Sequence, residues 1–367
     1  MKERMNVDAT AMLWRGDGAP HEPMAVDAVE LAAGEVLVEI ELATICGSDV
    51  HTTRGDRATP VPTVLGHEQV GRVVALGPEA PTALDGAQVA VGDRIVWSIF
   101  AACDDCDRCR AGLPQKCRRL RKYGHERTEP RWQLGGGFAT HAHLLAGTAI
   151  ARVGDELPAE VLAPLSCGTA TAAAALDAAR RTHPHLRGRA VVISGAGLIG
   201  LTLAAMASDA GATVVVVDPS EDRRRQSLRF GAADAVGTGV AELSEALEAL
   251  GFEAPELWFE ASGASRAVSA AVAAIDVGGA VVLIGSVSPG PSVAVDPERI
   301  VRGLITLTGV HNYAPQHLTA AVDFATSATD RVPLAELVGD TKPLGDLDDA
   351  LALAAGGAHV RIGVRSS

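Results

Sequence analysis

The chain has 367 residues, 47% of them hydrophobic and 21% charged, which is enough apolar material for two folded domains and too much for a disordered or fibrous protein. A net charge of -13 leaves no basic excess to hold nucleic acid or an anionic membrane surface, so neither is expected as a partner. Residues 1–16 mix acids and bases with no apolar core, and no run approaches 18 apolar residues, so a cytoplasmic protein is expected.

Residues 35–43 alternate apolar and polar side chains, the pattern of a half-buried strand, and run into Cys46-Gly-Ser48-Asp49-Val-His51. Gly66-His67-Glu68 follows a proline-containing loop and leads into a second strand over 69–76. Taken alone, a cysteine with His-Glu some twenty residues later says little. The next segment says more: Cys103, Cys106, Cys109 and Cys117 place four thiols in fifteen residues. In a reducing compartment such a cluster is a metal site rather than a disulfide framework, and its spacing suits a closed tetrahedral zinc. Four exposed free thiols would be an oxidation hazard. Lys122-Tyr-Gly-His125-Glu126-Arg127-Thr-Glu-Pro-Arg131-Trp132 then reads either as a solvated loop or as a functional one, and Gly135-Gly136-Gly137 as a turn into a strand.

The stretch 190–218 organises the second half. A β-branched run, Ala190-Val-Val-Ile-Ser, meets Gly195-Ala-Gly197-Leu198-Ile199-Gly200, an apolar helix follows, and a second buried strand ends at Asp218, 18 residues after Gly200. That context makes the glycine pattern a dinucleotide-binding fingerprint. Gly195 allows the tight turn, Gly197 lets backbone approach a pyrophosphate, and Gly200 lets the helix pack on its strand, while Asp218 accepts from the ribose hydroxyls. Ser220 can cap a helix carrying Arg223, Arg224 and Arg225, with Gly231 at its end. Segments 257–263 and 280–285 read as further parallel strands, 304–307 as a last short one, and beyond Gly309 come a helix from about Gln316 and a closing strand over 360–364.

With Cys46, Gly66-His67-Glu68, the four-cysteine lobe and the glycine fingerprint in that order, the chain resembles the zinc-containing alcohol dehydrogenases of the medium-chain dehydrogenase/reductase superfamily. The resemblance covers nearly the whole chain. It implies an α/β fold in which a doubly wound parallel Rossmann sheet, residues 169–308, is inserted in a GroES-like distorted β-barrel catalytic domain, residues 1–168 and 309–367, with a structural-zinc lobe at about 100–118. It also implies that Cys46, His67 and Cys167 hold a catalytic zinc. Relatives of the sorbitol-dehydrogenase kind use a glutamate where this chain has Ala163, and Glu68 or a water remains a further ligand.

By the same resemblance Asp49 orients His67, Ser48 passes the substrate proton through the nicotinamide ribose to His51, and Glu68 assists ligand exchange behind the zinc. Thr171 flanks the nicotinamide, Arg223 meets the adenosine ribose and Arg361 the pyrophosphate. Two zinc ions and NAD are therefore expected, with Asp218 repelling a 2′-phosphate unless the arginine run points inward. A homodimer or homotetramer is implied. A zinc-free enoyl or quinone reductase would lack the metal donors, and a non-catalytic nucleotide-binding protein would have lost Ser48, Asp49 or His67. Segments around Lys122, Trp132 and Cys167 resemble a bacterial subgroup associated with phosphonate metabolism. Arg54, Arg57, His125, Arg127 and Arg131 fall near the catalytic segments, and few aromatic residues are available to line a greasy pocket. A polar alcohol, whether an anionic one or a polyol or cyclitol, is the expected substrate.

Overall fold

The computed structural model describes residues 3–16 and 18–366; Met1 and Lys2 of the N-terminal stretch lie outside the described residues. The chain forms two compact units, one of Met1–Cys167, Ala314–Ser327 and Leu334–Ser367, the other of Gly168–Tyr313 and Ala328–Pro333. Among the described residues no single helix is long and apolar enough to cross a membrane.

The first unit is a mainly antiparallel β structure. Its eight-stranded sheet runs in the order Val338–Pro343, Arg361–Arg365, Val36–Thr44, Glu68–Leu76, Arg94–Ala101, Arg121–Lys122, with His141–Leu144 added on Val36–Thr44 and Thr148–Arg152 on Arg94–Ala101. A three-stranded sheet of Glu22–Leu31, Glu3–Trp14 and Thr63–Val64 accompanies it. Repeated register shifts, as between Ile40 and Leu42 against the neighbouring strand, bend the sheet into the distorted GroES-like half-barrel. Trp97, Phe138, Ile40 and Val73 fill its interior. The strand Val36–Thr44 is more buried than its alternating sequence implies: seven of its nine residues are buried, because the sheet curls over one face and neighbouring elements cover the other.

Arg94 ties this barrel together. It is buried, grips Glu41 with Nε and Nη2 at 2.9 and 2.8 Å, and donates through Nη1 to the carbonyls of Gly154 and Leu157 at 3.0 and 2.7 Å. The segment so anchored leads into Ala159–Leu162 and Ala163–Ser166 and hence to Cys167.

The second unit is a six-stranded, all-parallel sheet ordered Asp234–Val236, Thr213–Val217, Ala190–Ser194, Leu257–Glu260, Ala280–Leu283, Thr306–Gly309. This unit's first strand, Ala190–Ser194, thus sits in the middle, and the order reverses beside it, creating the crevice where doubly wound sheets take ligands. Its central strands are buried throughout and apolar up to their last residues, Ser194 and Glu260, as burial on both faces demands. The last strand starts at Thr306, two residues later than the apolar pattern implies, because Leu304 closes the helix Pro297–Gly303 in a left-handed conformation. The closing strand is Arg361–Arg365, the helix expected from Gln316 is Pro315–Ala328, and a further helix, Leu347–Ala355, lies between them.

Replacing Arg94 with Met keeps the stem but takes from Glu41 one of its two arginine partners and strands the buried Leu157 carbonyl. A loss of about 2 to 4 kcal/mol is expected in urea unfolding; a change below about 0.5 kcal/mol would show that the strands hold without it.

Candidate metal centre and nucleotide crevice

Three short segments bring together the donors expected to hold a metal. Cys46 leaves the strand Val36–Thr44 and is the N-cap of the helix Gly47–Thr53. His67 immediately precedes the strand Glu68–Leu76, and Cys167 follows the 3-10 turn Ala163–Ser166. Donor atoms of Cys46, His67, Glu68 and Cys167 all lie within 4.8 Å of one another. Ser166 stitches two of these segments: its hydroxyl donates to the His67 carbonyl at 3.3 Å and accepts from the Gln69 amide at 3.4 Å. Ala163 is buried and offers no donor.

Asp49 stitches the others. Its Oδ2 accepts from the Cys46 amide at 2.9 Å, its Oδ1 accepts from the Gly66 amide at 3.3 Å, and Oδ1 stands 3.5 Å from Nδ1 of His67. That places Nε2 of His67 on the donor side, where Ser48 Oγ lies 3.3 Å away. His51, one turn further along the same helix, is exposed and pairs with Asp56 at 3.1 Å. Gly66 has φ +89°, and a Cβ there would come within 2.8 Å of the Phe138 amide nitrogen. The run Gly135–Gly137, expected to turn into a strand, instead packs its backbone on this corner: Gly137 donates to the Gly66 carbonyl at 2.8 Å, and Gly135 accepts from Gly124 at 2.8 Å.

The pocket draws positive charge. Burial opposes a charged ring at His67, yet Asp49 and Cys46 outweigh it and lift its pKa to about 10. A hydrogen bond from Cys167, opposed by burial and aided by Arg361, holds Cys46 well below the usual thiol range, while that bond and burial push Cys167 up. Two soft sulfurs, an imidazole nitrogen and this electrostatic bias fit a zinc ion.

Arg361, matched by resemblance to the pyrophosphate, stands beside the metal donors. Its guanidinium forks onto Glu68, Nε to Oε2 at 2.6 Å and Nη2 to Oε1 at 2.8 Å, and reaches Cys46 Sγ at 3.7 Å. Thr44 adds a third donor to Glu68 at 2.7 Å. Burial pushes the Glu68 carboxyl up and Arg361 pulls it back, so in this structure Glu68 spends both oxygens on protein donors.

In the lobe, Cys103, Cys106, Cys109 and Cys117 approach with Sγ separations of 3.3 to 4.0 Å. A zinc with sulfurs at about 2.3 Å requires tetrahedral edges of about 3.8 Å. The four thiols match that spacing, and the Cys103 and Arg119 amides donate to Cys117 Sγ at 3.4 and 3.3 Å.

In the second unit Gly195 (φ +93°) makes the turn, a side chain at Gly200 would strike the Gly195 carbonyl, and one at Gly197 would meet open space. Asp218 accepts from the Ala196 amide through Oδ2 and from Ser220 through Oδ1, both at 2.8 Å, so it braces the turn whose rim it forms. Leu198 is buried and Ile199 half-buried at the start of the helix Leu198–Asp209. A cavity of about 500 Å³ opens beside them, lined also by Thr238 and Arg266. Arg266 escaped the sequence reading because it lies beyond the next strand, on the helix Ser265–Ala274. Of the arginine run, Arg224 donates to the Asp218 and Pro219 carbonyls and Arg225 pairs with Glu221 and Asp222, while Arg223 supplies the amide that Ser220 caps. Thr171 is buried in the first turn of Gly168–Arg180 and does not line this cavity.

The chain matches the family model for the alcohol dehydrogenase GroES-like domain over residues 32–155 and that for zinc-binding dehydrogenases over residues 199–327. It is 29% identical to a 5-exo-hydroxycamphor dehydrogenase of Pseudomonas putida, over 93% of this chain and 94% of that one. It is 30% identical to an L-threonine 3-dehydrogenase of Aeromonas salmonicida, over 85% and 84%. An alcohol dehydrogenase from Thermotoga maritima superposes with a TM-score of 0.91 at 28% identity, covering 98% of this chain and 99% of that one.

Substituting Asp49 with Ala should weaken zinc binding by about 10- to 100-fold in competition with a chromophoric chelator. Equal affinity in wild type and variant would reduce the carboxylate to a helix cap.

Proposed function

The chain belongs to the zinc-containing alcohol dehydrogenases of the medium-chain dehydrogenase/reductase superfamily, and from that premise we propose that it oxidises a polar alcohol to the aldehyde or ketone with NAD as acceptor. The convergence of Cys46, His67 and Cys167 beside Ser48 carries this reading. Cys46, His67 and Cys167 would hold a zinc that would lower the pKa of a bound alcohol, and a bound nicotinamide would supply the hydride acceptor. Asp49 keeps the His67 ring aimed from behind. Ser48 Oγ is the hydroxyl at the donor face that receives the substrate proton, and His51, exposed on the same helical face, passes it to water.

The Cys103 to Cys117 lobe would hold a second, structural zinc. Asp218 at the rim of the crevice, with Arg224 and Arg225 turned elsewhere, supports NAD over NADP. Thr171 beside the nicotinamide and Arg223 on the ribose are proposed from family likeness alone. Thiol ligands need a reducing compartment, which favours the cytoplasm. Relatives are named for substrates as different as L-threonine and 5-exo-hydroxycamphor, so the substrate must be argued from the pocket. There the His125 ring lies tilted 4.9 Å from that of His67, and Lys122 and Arg57 stand near, a polar lining that favours a polar alcohol. At the sheet edge, Thr306–Gly309 pairs on one side and Val301, Leu304 and Leu307 expose apolar surface, which favours a homo-oligomer built on that edge.

Metal analysis should find two zinc ions per chain. Cys109→Ser should lose one together with thermal stability, and Cys46→Ser should keep one with the fold but lose turnover; protein purified without chelators and free of zinc would overturn the reading. In steady-state assays kcat/KM should favour NAD over NADP by about tenfold or more, and a polar alcohol over hexanol. A preference for NADP would shift the role to Arg266, and a clear win for hexanol would reject the polar substrate.

A further inference from the structure

The segment 121–132 is a clamped wall of the metal pocket and not a solvated loop. Glu126 accepts from Arg121 Nε at 2.5 Å and from the Lys122 amide at 2.6 Å. The Arg121 guanidinium lies 4.6 Å over the Trp132 ring, whose partner Tyr123 is 5.5 Å away and buried. Thr63 Oγ1 donates to the Glu126 carbonyl at 2.7 Å, and the Thr128 amide donates to Pro62 at 2.8 Å. The side chains that this wall carries are therefore held in place.

Several basic groups near the catalytic segments are already engaged. Arg54 donates to the Ala355 carbonyl at 3.0 Å, and Arg131 pairs with Glu35 at 3.2 Å, while Arg127 is exposed. Lys122 and Arg57 are different: both are half-buried, and neither ammonium nor guanidinium has a hydrogen-bond or ion-pair partner among the described residues. The nearby carboxylates are taken, Glu126 by Arg121, Asp56 by His51 and Glu68 by Arg361. His125, whose amide donates to the Lys122 carbonyl at 3.4 Å, has its ring 4.9 Å from that of His67, which places this wall at the metal pocket. Two thiolates and a divalent ion sum to zero, so the bound metal leaves the cationic pair uncompensated. His125 donates through Nδ1 to the Tyr123 carbonyl at 2.8 Å, leaving Nε2 as an acceptor on the same wall.

We propose that Lys122, with Arg57 beside it, is the specificity-determining anchor for an oxyanion on the substrate, so that the enzyme's alcohol carries a carboxylate, phosphonate or phosphate a few bonds from its hydroxyl. This deepens the dehydrogenase reading and rests on it. Burial, then the like charge of Arg57, brings the Lys122 ammonium down to about 8, and an anion between the two cations relieves both costs. The hydroxyl would meet the Ser48 and His67 side while the anion meets Lys122, fixing which end of the molecule is oxidised.

The test uses zinc-loaded protein and three variants, Lys122→Met, Lys122→Arg and Arg57→Gln. Calorimetry with methylphosphonate and acetate reads anion binding without turnover; kcat/KM is then compared for 2-hydroxyethylphosphonate, 3-hydroxypropanoate and the neutral isostere 3,3-dimethyl-1-butanol. Wild type should bind at least one of the two anions and prefer the matching alcohol over the isostere. Lys122→Met should cut that preference by about 30- to 100-fold, Arg57→Gln by less, and Lys122→Arg should restore most of it. The better of the two anionic alcohols identifies the oxyanion. An unchanged preference in Lys122→Met, or no anion binding by wild type, would overturn the assignment even if neutral alcohols are oxidised. Anion binding that depends on Lys122 without oxidation of any alcohol would leave the subsite standing and remove the dehydrogenase reading.

Discussion

A buried carboxylate, that of Asp49, accepts hydrogen bonds from the amides of Cys46 and Gly66 and faces the inner nitrogen of His67. Two donor-bearing segments, twenty residues apart, are thereby referred to one point. The arrangement depends on Asp49 staying dry: at 2% exposure its charge has no water to satisfy it, so the backbone must come to it. Everything else in the catalytic unit is consistent with that demand. Gly66 takes a left-handed conformation that brings its amide round, and the glycines at 124 and 135–137 let a second stretch of backbone close over the corner.

Charge is distributed in layers about this point. Behind the sulfurs, Arg361 and Glu68 form a buried fork that costs desolvation and returns it through geometry, Thr44 satisfying what the guanidinium does not. On the wall that carries His125, Lys122 and Arg57 hold positive charge that no acid among the described residues meets. The rear pair is complete within the protein. The cationic pair is complete only with something bound, and that asymmetry separates a supporting element from a recognition element.

The nucleotide unit solves a similar problem with backbone. Asp218 braces the turn at Ala196 and Ser220, so the acid that would face the ribose also holds the helix start in position. Arg224 covers the neighbouring carbonyls of Asp218 and Pro219.

What the sequence determined by itself was what local chemistry dictates. Four cysteines in fifteen residues can reach one ion whatever the rest of the chain does, and a strand, glycine turn and helix need only thirty consecutive residues to declare themselves, so the four-cysteine cluster and the parallel sheet were legible in order and type. Cys46, His67 and Cys167 were legible only through family likeness, because no spacing rule links them. Tertiary structure alone decided where the long-range charges went: Arg361 meets Glu68 across 293 positions, Arg54 meets Ala355 across 301, and Arg131 meets Glu35 across 96. It also turned the stretch after Lys122 from a loop of two readings into a wall, through Glu126 and the stacked Arg121 and Trp132. An arginine's sequence neighbours record its charge but not its partner, since a buried ion pair is set by which strands the fold lays side by side.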